Sequence, residues 1–178
     1  MITREDFKLI GDVARHCNLE KLSIAIEEAK TFDLTPLFCF GFINDVLNHW
    51  DKPEYSTLVN GGAYTDKLGK EQYNLGIKRL WVYYAYARYI LINGYNDTAN
   101  GIVKKEQNFS LPTPLKELTD YSNKYRNMGK KAYAGILNYL NDNVNSFPLF
   151  RDCAGCNDAK EGNGTHKLTG FKFSTVRK

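Results

Sequence analysis

Residues 77–93 read Ile-Lys-Arg-Leu-Trp-Val-Tyr-Tyr-Ala-Tyr-Ala-Arg-Tyr-Ile-Leu-Ile-Asn, and this run decides the fold class. Ile77, Leu80, Trp81, Tyr84, Ala87 and Leu91 recur at helical spacing, which predicts a helix over 75–93. Tyr83, Tyr86, Tyr89 and Ile90 carry apolar surface further round its side. A helix apolar on most sides sits at the centre of a bundle or is shared with a neighbouring subunit. Asn93-Gly94 supplies the stop.

A second long helix follows Thr113-Pro114, read as N-cap and first helical residue. Its stripe is Leu118, Tyr121, Tyr125, Met128, Ala132, Ile136, Tyr139 and Leu140, with Pro148 closing the segment. Upstream, Thr3 with Glu5 and Asp6 marks a helix start, and Phe7, Ile10, Val13 and Ala14 keep helical spacing. Asn18 caps the next helix, whose buried stripe is Leu22, Ala25, Ile26 and Ala29. Leu34-Thr35-Pro36 breaks it, and Pro36 opens a third helix carrying Leu37 to Trp50. A short helix fits Glu54–Val59, and Ala63–Asn74 reads as a small β-hairpin.

Residues 95–112 lack helical periodicity and form an extended connection. Residues 151–170 read as a loop rich in Gly, Asp, Asn, Lys and Thr, and Phe171, Phe173 and Thr175 alternate as in a short strand. The expected architecture is all-α: a helical bundle over 1–147 with a small β-hairpin, and a C-terminal extended arm or strand over 148–178.

The chain has 178 residues, 43% hydrophobic and 25% charged, which excludes a disordered or collagen-like chain and a disulfide scaffold. Aromatic residues make up 13%, an excess that suits a protein with much interface or a Tyr-rich core. No secretory signal and no apolar run of membrane-spanning length is present, so the cysteines Cys17, Cys39, Cys153 and Cys156 are expected as reduced thiols. The net charge of +4 is uneven: residues 114–178 hold 11 basic and 6 acidic residues.

Chemistry-bearing motifs are few. Cys153-Ala154-Gly155-Cys156 is half of a zinc site, and no second ligand pair accompanies it, so no metal is expected. His16, His49 and His166 are scattered and read as structural or surface residues. Gly162–Lys167 lacks the spacing and the preceding strand of a phosphate loop. No catalytic residue and no cofactor is expected. Lys124, Arg126, Lys130 and Lys131 are spread over more than one side of their helix and read as a solvated surface.

Four strings carry a resemblance: Ala29–Leu37, Tyr83–Leu91, Asn96–Val103 and Tyr125–Gly129. Together, over about residues 1–145, they resemble the head–tail connector (neck or ring adaptor) proteins of tailed bacteriophages, of the crAss-like and Bacteroidetes phage type. The resemblance implies a structural virion protein without catalytic residues. It implies a homo-oligomeric ring, usually a dodecamer, assembled in the host cytoplasm at the portal vertex. Such a ring binds the portal protein and the next neck or tail ring, and continues the DNA channel without sequence readout or membrane contact. On that reading, Tyr95, Asp97, Phe109, Phe171 and Phe173 are interface candidates. Lys104 and Lys105 are candidates for the channel wall. The alternatives are a small helical nucleic-acid-binding protein and a zinc-stabilised binding module using Cys153 and Cys156.

Overall fold

A computed structural model describes residues 2–11, 17–99, 101–104 and 113–151. The helices are α1 (Leu19–Ala29), α2 (Thr35–Phe38), α3 (Phe40–Asn48), α4 (Ser56–Asn60), α5 (Ile77–Asn93), α6 (Leu115–Asp142) and α7 (Pro148–Arg151). Two antiparallel hairpins accompany them: β1 (Gly62–Thr65) with β2 (Glu71–Asn74), and β3 (Tyr95–Thr98) with β4 (Gly101–Lys104). The protein is therefore an all-α bundle with small β-hairpins.

Helix α5 is the axis of the bundle, packed between α1 and α6. Its stripe from Ile77 to Ala87 is buried as expected, Leu91 is half-buried, and Val82, Tyr83, Ala85 and Tyr89 are buried besides. Burial on both flanks explains why α5 lacks a polar face. The buried Trp81 indole Nε1 of α5 donates to the Ile26 carbonyl at 2.9 Å. The Tyr89 hydroxyl accepts from the Asn18 amide at 3.2 Å. On the other flank, Ser122 Oγ donates to the Ala87 carbonyl at 2.8 Å. Gly129 lies under the Tyr84 ring, where a Cβ would stand 3.0 Å from Cζ.

These two small residues correct the expected α6 stripe. They let α5 approach on their side, and Tyr121 is rolled outward to 55% exposure beneath the Lys124 ammonium. The start of α6 is also shifted: Pro114 occupies the N-cap and no side chain caps the helix. Pro148 opens α7 rather than closing α6, which ends at Asp142.

The N-terminal turn forms through the Thr3–Asp6 capping box, but Arg4–Leu9 is a 3-10 helix with Ile10 as its C-cap, followed by Gly11 at φ +70°. Asn18 caps α1 by accepting from Lys21 N at 3.0 Å, and its stripe is buried as expected. The expected break at Leu34–Pro36 does not occur. A π-helical turn over Lys30–Leu34 carries α1 into α2, and the interruption falls at Cys39 (φ +59°). The physical reason is proline's missing N–H and its clash with the preceding turn. The wider π turn accommodates both, and Thr35 closes it by donating through Oγ1 to the Lys30 carbonyl at 2.9 Å. Cys39 is disulfide-bonded, so the expectation of reduced thiols is corrected there, while Cys17 is a free thiol.

The expected β1–β2 hairpin is present. Its exit makes a close crossing with α4: Asn74, fully buried, donates to the Thr57 carbonyl at 2.8 Å and accepts from Gly76 N at 3.0 Å. Gly76 (φ +80°) passes so near Gly61 that a Cβ would meet its nitrogen at 2.4 Å. The extended connection expected over 95–112 is corrected over 95–104, where β3 pairs with β4. Gly101 (φ +110°) allows that tight turn. The C-terminal arm or strand, from residue 152 on, lies outside the described residues.

Candidate interaction surface

The π turn shapes one surface. From Ala29 the next buried position is Leu34, a step of five, and the extra residue swings Phe32 to the outside at 63% exposure. Beneath it, the Arg88 guanidinium of α5 sits 5.5 Å from the Phe32 ring centroid. Arg88 Nε donates to Asp33 Oδ2 at 2.6 Å, and its Nη1 donates to Glu28 Oε2 at 3.1 Å. Arg126 of α6 reaches the other oxygen of Asp33 at 3.2 Å. Asp33 is 9% exposed and Arg88 18%, so the network is mostly shielded from water. Burial of Arg88 opposes its charge, but the Asp33 and Glu28 carboxylates outweigh this and hold its pKa above the ordinary value. The neighbouring Tyr84 hydroxyl is pushed up by burial and by the Asp33 charge, against the pull of Arg126.

The network ties α1, α5 and α6 together through one carboxylate and fixes an exposed aromatic ring over a fixed cation. Cation–π contact and immobilised neighbours lower the entropy that Phe32 loses on meeting a partner. Phe40, at 72% exposure, follows directly after the Cys39 kink. The segment leading to that kink is held on α6 by the Tyr133 hydroxyl, which donates to the Leu37 carbonyl at 2.8 Å, and by the Phe38–Tyr133 edge contact.

Of the residues singled out from sequence, Tyr95 lies in β3 opposite Lys104, half-buried, and its carbonyl accepts from the Lys21 ammonium. Lys21 also donates to the Ile92 carbonyl at 3.1 Å, which anchors the base of the hairpin to α1. Asp97 faces Ile102 in the ladder and Lys104 closes β4. Lys105, Phe109, Cys153, Cys156, Phe171 and Phe173 lie outside the described residues. Among the described residues no group of three or more His, Cys, Asp or Glu side chains converges as a metal site. No helix among them is long and apolar enough to cross a membrane.

His49 is the described histidine with defined partners. Its Nδ1 lies 2.9 Å from Asp45 Oδ1, and the Tyr55 hydroxyl donates to Asp45 Oδ2 at 2.6 Å. Burial, followed by the Asp45 charge and hydrogen bond, pushes Tyr55 up to about 12. The Tyr55 and His49 rings stack at 5.5 Å, joining α3 to the turn before α4. A polar cleft of about 230 Å³ lies between β1–β2 and the end of α6, lined by Tyr64, Asp66, Gln72, Asn138, Asn141 and Asp142. Lys67 crosses its rim and donates to the Asn141 carbonyl at 2.5 Å.

Phe32, Phe40 and the Asp33–Arg88 pair escaped the sequence reading. Apolar spacing carried no signal for them, since Phe32 follows Ala29 at an ordinary helical step of three.

No curated protein and no solved structure matches the chain. A family model described as a family of unknown function, DUF6712, matches residues 34–160, from the end of the π turn through α7 and beyond. With most of its length inside that match, the chain belongs to the DUF6712 family.

Proposed function

We propose that this protein is a structural, non-enzymatic subunit of a ring at the neck of a tailed bacteriophage, joining the portal vertex to the tail and continuing the DNA channel. The observation that carries the reading is the exposed Phe32 ring, held over the ion-paired Arg88 guanidinium, with a second exposed aromatic, Phe40, eight residues on. Exposed aromatics held in place are the usual energetic centres of protein interfaces. A cyclic assembly needs two different patches on each subunit. The β3–β4 hairpin, a two-stranded sheet distinct from β1–β2, is the second patch in this reading. The resemblance of Ala29–Leu37 and Tyr83–Leu91 to connector proteins points the same way, and those strings contain Phe32, Asp33 and Arg88. The virion neck is then the site of action, and the partners are further copies of the chain, the portal protein and the next neck or tail ring.

Sedimentation of the full chain, alone and mixed with the portal protein encoded by the same genome, tests the reading. The expected result is a ring-sized species with the portal that Phe32→Ala weakens at least tenfold. A chain that stays monomeric with the portal at high micromolar concentration overturns it.

A further inference from the structure

The sequence spreads Lys124, Arg126, Lys130 and Lys131 along α6 without a common side, and folding sorts them. Arg126 is drawn to Asp33, 3.2 Å away. Lys124, Lys130 and Lys131 stay exposed on the outward side, opposite the buried Tyr125, Gly129, Ala132 and Ile136. Asn123, Asn127 and Asn138 are exposed on the same side. Exposed Asp120 lies one turn before Lys124, residues 121–141 contain no Asp or Glu, and none of the ion pairs among the described residues includes these three lysines. Lys124 is supported from below, its ammonium lying 5.3 Å from both the Tyr121 and Tyr125 ring centroids.

We infer that this outward face of α6 binds the phosphate backbone of double-stranded DNA without reading its sequence. Ammonium groups neutralise phosphates, and amide side chains donate to phosphate oxygens without adding like charge. From Asn123 to Asn138 the face runs about 22 Å along the helix axis, long enough to follow several phosphates. One continuous helix carries these groups, so their spacing along the axis is set before DNA arrives. The inference deepens the channel reading and rests on it for the choice of DNA as the polyanion. It adds α6 to the channel-wall candidates Lys104 and Lys105.

Fluorescence anisotropy of the full chain with a labelled 20-base-pair duplex, titrated across salt, tests it. Three lysine–phosphate contacts give a slope of log K against log salt of about −2.7, or about a 40-fold loss of affinity between 50 and 200 mM. Lys130→Gln with Lys131→Gln should flatten the slope by about 1.8, with two duplexes of unrelated sequence behaving alike. Lys52→Gln with Lys70→Gln removes the same charge elsewhere on the surface and should leave the slope in place. Equal losses in the two double variants, or no binding at 50 mM salt, overturn the inference. The ring reading is scored separately by sedimentation. A chain that assembles with the portal while its DNA affinity ignores Lys130 and Lys131 overturns the α6 face alone. A chain that binds DNA through this face but does not assemble supports the face and overturns the ring.

Discussion

Replacing Asp33 with Asn probes the network that ties the bundle together. The substitution keeps the side-chain shape but removes the charge that faces Arg88 at 2.6 Å and Arg126 at 3.2 Å. Breaking a fully buried pair by removing one partner costs about 3–5 kcal/mol. Two features lower that figure here. Arg88 retains Glu28 at 3.1 Å, and Arg126, at 35% exposure, is re-solvated with little loss. The expected destabilisation is therefore about 2 kcal/mol. For a chain of this size that lowers Tm by roughly 4–8 °C. Urea denaturation followed by circular dichroism should show a lower midpoint at an unchanged m value. Arg88→Met in the Asp33→Asn background should cost less than the sum of the two single changes, because the pair is already broken. A midpoint shift worth less than about 0.5 kcal/mol, or strict additivity, would refute the idea that Asp33 organises this junction.

Other consequences are as direct. Gly76→Ala should abolish stable folding or cost more than about 3 kcal/mol, since it adds a Cβ 2.4 Å from the Gly61 nitrogen at a φ of +80°; thermal melting reads this. Trp81→Phe should cost about 2 kcal/mol, because it opens a cavity at a fully buried position and removes the indole hydrogen bond to the Ile26 carbonyl; chemical denaturation measures it. The Tyr55 hydroxyl is raised to about 12, so the folded state holds a proton that the unfolded chain releases near pH 10. Its contribution is complete below pH 10 and is lost as pH rises toward 12, and Tyr55→Phe should flatten the stability profile in that window. Phe32→Ala should leave Tm within about 1 °C, as expected for an exposed side chain, while reducing assembly; an equal loss of both would make Phe32 a folding residue.

The legible parts of the fold share one property: their signal is local. The Asn18 cap, the α1 stripe and the Ile77–Ala87 face of α5 follow from hydrophobic spacing and capping chemistry, and each is buried or bonded as read. The misread parts depended on partners distant in sequence. Tyr121 satisfies the α6 period as well as Tyr125 does, yet only the close approach at Ser122 and Gly129 decides which of them is covered. Pro36 reads as a helix break by every local rule. The chain instead absorbs it in a π turn, because Leu34 and Phe38 are both fully buried in the core.

The interaction surface divides the same way. Sequence by itself determined a helical bundle centred on the Tyr-rich α5, because side-chain periodicity is written directly in the order of residues. Only the tertiary structure decided which charges remain free. Asp33 takes Arg88 and Arg126 from helices 55 and 93 residues away, while Lys124, Lys130 and Lys131 join none of the ion pairs among the described residues. Ion pairing depends on distances of a few ångströms, and those distances are set only when the helices pack.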